Sequence, residues 1–139
     1  ATWVTRRGVK VDRIASAWLI RTRIDPEARF RFVSPDGYEP AAGELRFDMF
    51  EGEYTHEGDR CTFEVLLQRF AIDDPALQAI GEVVHDVDCK DGKFGRPEAD
   101  GVAAAVQGIA LTHASDEARI EAGAALFAGL YARFRGDPA

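Results

Sequence analysis

The first 33 residues constrain the fold most, because strand, helix and strand patterns follow one another there. Trp3–Thr5 is a short apolar strand candidate, and the alternating segment Phe30–Val33 is a second. Between them, apolar side chains from Val11 to Leu19 recur at helical spacing. Pro26 ends this helix, because the residue before a proline is pushed out of the α region. Two strands joined by a helix over about 30 residues predict a βαβ unit.

The rest of the chain adds a little more strand and then becomes helical. Leu45–Met49 alternates as a third strand, and Glu53–Thr55 is a short fourth strand candidate. The predicted helices after them begin near Thr62, Pro75, Pro97 and Ser115. We therefore expect an α+β fold in one domain spanning residues 1–139, with a small sheet packed against a mainly helical C-terminal half.

Composition and charge narrow the class of protein. The net charge of −7 opposes generic binding to a polyanion, so no direct nucleic-acid partner is expected. No apolar run approaches the roughly 18 residues that a membrane span needs. The first residues lack a signal peptide, which predicts a cytoplasmic protein. Two cysteines are too few for a disulfide scaffold and are expected to be thiols.

Positive charge is concentrated near the N-terminus. Residues 1–35 carry eight Lys and Arg side chains against three acidic ones. One interpretation is a solvated basic face. The other is an anion-binding site at Arg6, Lys10 and Arg13, for which a small oxyanion is the expected ligand.

Two segments, 54–64 and 85–92, hold most of the residue types that bind metals. His85 and Asp88 share one stripe of the predicted 75–89 helix, Glu64 lies at the edge of another helix, and His56 precedes that helix. The sequence thus predicts a divalent metal site for Zn, Fe or Mn, with the ligands His56, Glu64, His85 and Asp88. In the alternative interpretation, His85 is a helix C-terminal histidine favoured by the dipole and His56 is a loop histidine.

The two cysteines are expected to differ. Cys61 lies at a predicted helix N-terminus, where the dipole lowers the thiol pKa, so it is the candidate catalytic thiol. Cys89 lies at a helix C-terminus, where thiolate is disfavoured. Either cysteine can also be an inert, small apolar side chain.

Several runs together resemble the ChrB-type chromate-resistance domain. The matching runs are Trp3–Arg6, Val11–Arg21, Ile24–Ala28, His56–Glu64 and His85–Glu98, which cover nearly the whole chain. The resemblance implies a domain that occurs alone, fused to a rhodanese-like module, or behind an N-terminal regulatory part, in proteins associated with chromate resistance. The family often has Cys-Pro where this chain has Ser16-Ala17, so a thiol role at that position is absent.

Together these observations predict a metal-binding domain that acts in chromate or metal stress resistance. An enzymatic version is a small metalloenzyme whose metal ion acts on an anionic substrate. The alternative is a non-catalytic sensor or interaction module that binds an oxyanion through the basic residues.

Overall fold

The computed structural model describes residues 1–139 and has three strands and five helices, as expected for an α+β fold. The elements in chain order are β1 (Thr2–Arg6), α1 (Val11–Leu19), β2 (Arg29–Val33), β3 (Glu44–Arg46), α2 (Thr62–Arg69), α3 (Pro75–Cys89), α4 (Ala99–Thr112) and α5 (Asp116–Arg135). A π-helical turn, Ile20–Ile24, extends α1 as far as the predicted stop before Pro26.

The sheet is entirely parallel, with the strand order β2-β1-β3. The βαβ prediction is confirmed, since β1 and β2 pair in parallel with α1 between them in sequence. The third strand is shorter than predicted, and the expected fourth strand is a single bridge between Phe47 and Tyr54. The reason is the backbone of Asp48, whose φ of 49° lies in the left-handed region and ends the extended conformation.

The strand order creates a crevice at one edge of the sheet. The chain passes from β1 to β2 on one side, whereas β3 pairs with the opposite side of β1. The strand order therefore reverses between β1 and β3. In parallel sheets, ligands bind outside the carboxyl ends of the strands at such a switch point. Arg6, Asp48 and the start of α1 lie at this edge.

The core fixes α1 between the sheet and the other helices. Trp3, Ile14 and Trp18 are buried in one large apolar cluster with residues of α2, α3 and α5. Helices α1 and α5 approach very closely, because a Cβ atom on Gly123 would lie 2.1 Å from Cγ2 of Ile14. No helix is long and apolar enough to span a bilayer.

Candidate functional site

The candidate site is built around the first turn of α2. Asp12 is 2% exposed, and its carboxylate accepts the amide N–H groups of Thr62 (2.9 Å) and Phe63 (3.0 Å). Asp12 lies in the first turn of α1, but its carboxylate caps the start of α2. The first amide groups of a helix have no partner within it, and the packing of α1 on α2 supplies one here.

A histidine meets three carboxylates beside this turn. Nε2 of His56 lies 3.2 Å from Oδ2 of Asp12, 3.2 Å from Oδ2 of Asp88 and 3.6 Å from Oδ1 of Asp48. We call this group the His56 cluster; its members are Asp12, Asp48, His56 and Asp88. One imidazole N–H cannot satisfy three carboxylates at once, whereas a cation with several coordination positions can.

Asp48 is held in place by a specific local structure. It lies two residues after the end of β3 and has a positive φ. A non-glycine residue in this conformation costs about 1–3 kcal/mol, and such residues cluster at functional sites. Its carboxylate accepts the Thr62 hydroxyl at 3.0 Å and pairs with Nε of Arg13 at 3.0 Å. The strained residue therefore presents its carboxylate at the switch point of the sheet.

The electrostatics of the His56 cluster show an excess of negative charge. Burial and the nearby Asp12 carboxylate raise the pKa of Asp48 to about 7. Burial and Asp12 also raise the pKa of Asp88. The hydrogen bond to Asp12, with further attraction from Asp48 and Asp88, raises the pKa of His56 to about 9. Each shift favours a bound proton, and a divalent cation would supply the same positive charge.

A second histidine cluster lies between α2 and α3. His85 is fully buried; its Nδ1 lies 2.6 Å from Oε1 of Glu64 and 3.9 Å from Sγ of Cys89, and its Nε2 lies 2.9 Å from Oδ2 of Asp91. One ligand atom each of Cys61, Glu64 and His85 lies within 4.8 Å of the others. We call this group the His85 cluster; its members are Cys61, Glu64, His85, Cys89 and Asp91.

Burial controls the protonation of the His85 cluster. Desolvation lowers the pKa of His85, but the hydrogen bonds to Glu64 and Asp91 outweigh it and the net shift is upward. The prediction of a lowered pKa for Cys61 is wrong, because burial raises it despite the position at a helix N-terminus. Burial raises the pKa of Cys89 to about 11, as its position at a helix end suggested.

The structure divides the four predicted metal ligands between the two clusters. His56 and Asp88 belong to one, and Glu64 and His85 to the other. The physical reason is that Glu64 also accepts the amide N–H of Cys61 at 3.0 Å, which turns its carboxylate towards His85. Asp12, Asp48 and Asp91 are absent from the predicted ligand set, although Asp48 lies next to the last residue of the predicted strand Leu45–Met49, near the end where ligands of a parallel sheet bind.

The three predicted anion-binding cations have different environments. Arg6 and Lys10 are exposed at the two ends of the β1–α1 loop. Arg13 is half-buried and already paired with Asp48. Between Arg6 and Lys10, the amides of Gly8 and Val9 donate to the carboxylate of Asp116 on α5. These amides are therefore occupied by a group of the protein itself.

A groove opens beside the His56 cluster. It has a volume of about 640 Å³ and runs between the start of α1, the end of α3 and α4. Asp88 of the His56 cluster forms part of its wall, and Lys10 and Lys90 provide its positive charges. The rest of the wall consists of Asp100, Gln107 and apolar side chains, among them Ala103 and Ala104 of α4.

Comparison with known proteins identifies the family. The sequence model of the ChrB C-terminal domain matches residues 3–134, so the chain belongs to the ChrB C-terminal-domain family, as the resemblance predicted. A curated relative, Protein ChrB of Cupriavidus metallidurans, is 37% identical over 133 residues, which are 95% of this chain. The chain spans 40% of the length of that relative. No solved structure matches.

Proposed function

We propose that this domain binds one divalent cation at the His56 cluster and uses it in chromate resistance. The observation that carries the proposal is the convergence of three carboxylates on Nε2 of His56, all within 3.6 Å. Asp12, Asp48 and His56 each offer one ligand atom within 4.8 Å of the other two, and Asp88 approaches the group from the side of His56. Hard oxygen donors with one imidazole suit Mn, Fe(II) or Zn better than a soft, thiophilic metal. Membership of the ChrB family supports the link to chromate.

The surroundings of the cluster favour a site that a small anion can reach. The His56 side chain is 45% exposed, so solvent and solutes can approach the bound cation. The wall of the neighbouring groove carries Lys10 and Lys90 beside Asp88 and Asp100. Once a metal ion neutralises Asp88, the two lysines leave an excess of positive charge that attracts an anion. A cation with a free coordination position then binds an oxygen of the anion and polarises it, which is the chemistry of a small metalloenzyme.

The test is a binding titration of tag-free, metal-free protein with Mn²⁺, Fe²⁺ or Zn²⁺, with elemental analysis of the loaded protein to give the number of ions bound. We expect His56→Gln and Asp88→Asn to weaken binding of the preferred metal by more than the roughly 10–100-fold that loss of an outer-sphere partner costs. His113→Gln is the matched control, because the His113 imidazole hydrogen-bonds only to the Thr112 hydroxyl and the carbonyl of Ile109. Equal metal affinity in all four proteins would remove the His56 cluster from the function.

A second candidate is an oxyanion sensor without turnover, which the exposure of Arg6 and Lys10 favours. It differs in its dependence on metal. A metal-dependent site binds chromate or sulfate only after metal loading, and His56→Gln abolishes that binding. A sensor built from the basic residues binds these anions without metal, and Lys10→Ala weakens the binding. Titration calorimetry with sulfate, with and without metal, separates the two.

A further inference from the structure

We propose that the His85 cluster is a second and separate metal site, which takes a zinc ion. Its ligands are Cys61, Glu64 and Nδ1 of His85, and Cys89 supplies the fourth. None of these side chains belongs to the His56 cluster. The presence of this zinc site can therefore be tested independently of the proposed function.

The donor geometry supports a buried site with three close ligands. Cys61, Glu64 and His85 each offer one ligand atom within 4.8 Å of the other two. Sγ of Cys89 lies 3.9 Å from Nδ1 of His85 but outside this group of three, so Cys89 completes the site by moving closer to the ion. Two sulfurs, one imidazole nitrogen and one carboxylate oxygen form a donor set typical of zinc. Because Cys61 and His85 are both fully buried, the site resembles structural zinc centres without an open position.

The orientation of the His85 ring gives an independent reason to expect zinc at this site. Its Nε2 lies 2.9 Å from the carboxylate of Asp91, while Nδ1 faces Glu64 and Cys89. Zinc-bound histidines generally donate their other ring N–H to a carboxylate, which fixes the tautomer and the ring plane. Asp91 is itself held by the amide of Lys93 at 3.0 Å. The outer partner that a zinc-binding His85 needs is thus already present.

The position of the site in the fold explains what zinc would do there. Cys61 and Glu64 belong to the first turn of α2, whereas His85 and Cys89 belong to the last turns of α3. A zinc ion would join the two helices at the turn whose amides Asp12 caps. We therefore expect zinc to stabilise the folded chain, because it binds the native state alone.

Cobalt(II) is the probe, because it replaces zinc and gives a charge-transfer absorption band in the near ultraviolet when thiolates bind it. The metal-free full chain is titrated with Co²⁺ and then with Zn²⁺. We expect the band in the wild type and in His56→Gln. We expect a weaker band in Cys61→Ser and in Cys89→Ser, none in the double variant, and loss of the wild-type band on adding Zn²⁺.

The serine variants keep the test valid, because serine is a good helix N-cap and is expected to preserve α2 in Cys61→Ser. Circular dichroism confirms the fold of each variant before titration. No band in the wild type, or an undiminished band in the double variant, overturns the zinc site. His56→Gln distinguishes the two proposals, since it affects only the His56 cluster.

Discussion

The two histidine clusters lie on either side of one helical turn, yet they offer a cation very different surroundings. The His56 cluster has oxygen donors and a histidine that is 45% exposed, next to a groove with positive charges. The His85 cluster contains both thiols and a histidine that is 0% exposed. The first set suits a reactive metal that exchanges ligands, and the second suits a structural metal.

Neighbouring residues of helix α3 belong to different clusters. His85 and Asp88 are three residues apart, but they face different partners, Glu64 for His85 and His56 for Asp88. The first turn of α2 separates them, with Glu64 bound to the amide of Cys61 and Asp12 bound to the next two amides. A shared helical stripe therefore does not establish a shared site.

The largest expected effect comes from His85→Ala in metal-free protein. Removing a fully buried imidazole takes the partner at 2.6 Å from Glu64, whose side chain is only 16% exposed, and breaking such a buried pair costs about 3–5 kcal/mol. His56→Ala is the matched variant, and its cost should be smaller, because the His56 side chain is 45% exposed and solvent screens its pairs with the carboxylates. Urea unfolding measures both. A similar loss of unfolding free energy in the two variants would show that the two clusters do not differ in their contribution to stability.

Asp12→Ala should have the next largest effect. It leaves the amides of Thr62 and Phe63 without an acceptor and removes a cap from α2, for a loss of about 2–3 kcal/mol. Asp12→Asn retains one acceptor oxygen, so its free energy of unfolding should fall less than that of Asp12→Ala. The free energy of unfolding of both variants tests this order, and an unchanged stability in Asp12→Ala would show that Asp12 does not support the turn.

The pH dependence of metal-free protein should reveal the His56 cluster. The pKa of folded His56 is raised to about 9, so its stabilising contribution is complete below its ordinary pKa and is lost as the pH rises to about 9. The pKa of Asp48 is raised to about 7, so its protonation also stabilises the folded chain, and this contribution is lost as the pH rises to about 7. We expect thermal stability to fall between about pH 7 and 9, and to fall less in His56→Gln. A steeper fall in His56→Gln would contradict the assignment.

The smallest effect is expected at the exposed cations. Arg6→Ala should change the free energy of unfolding by no more than about 0.5 kcal/mol, because Arg6 is exposed and forms no ion pair. Arg13→Ala should cost more, since Arg13 holds both the carboxylate and the carbonyl of Asp48. Thermal unfolding of the two variants side by side checks the difference, and equal stability would show that Arg13 does not position Asp48.

The sequence predicted the elements better than the site. The βαβ start and the helices from Thr62 and Pro75 follow from local patterns, so periodicity and proline found them. The pairing of His56 with Asp12 depends on a contact between residues 44 positions apart, which no local pattern encodes. The pKa of Cys61 was misjudged for the same reason, because its burial depends on tertiary packing rather than on its place in a helix.

The most direct test of two separate centres is the metal content of three reconstituted, tag-free proteins: the wild type, His56→Gln and the double variant Cys61→Ser, Cys89→Ser. Two independent centres predict about two metal ions per wild-type chain and about one in each variant, with sulfur ligation lost only in the double variant. One metal ion in the wild type that both variants lack would mean a single shared centre. No retained metal in any of the three would contradict both sites.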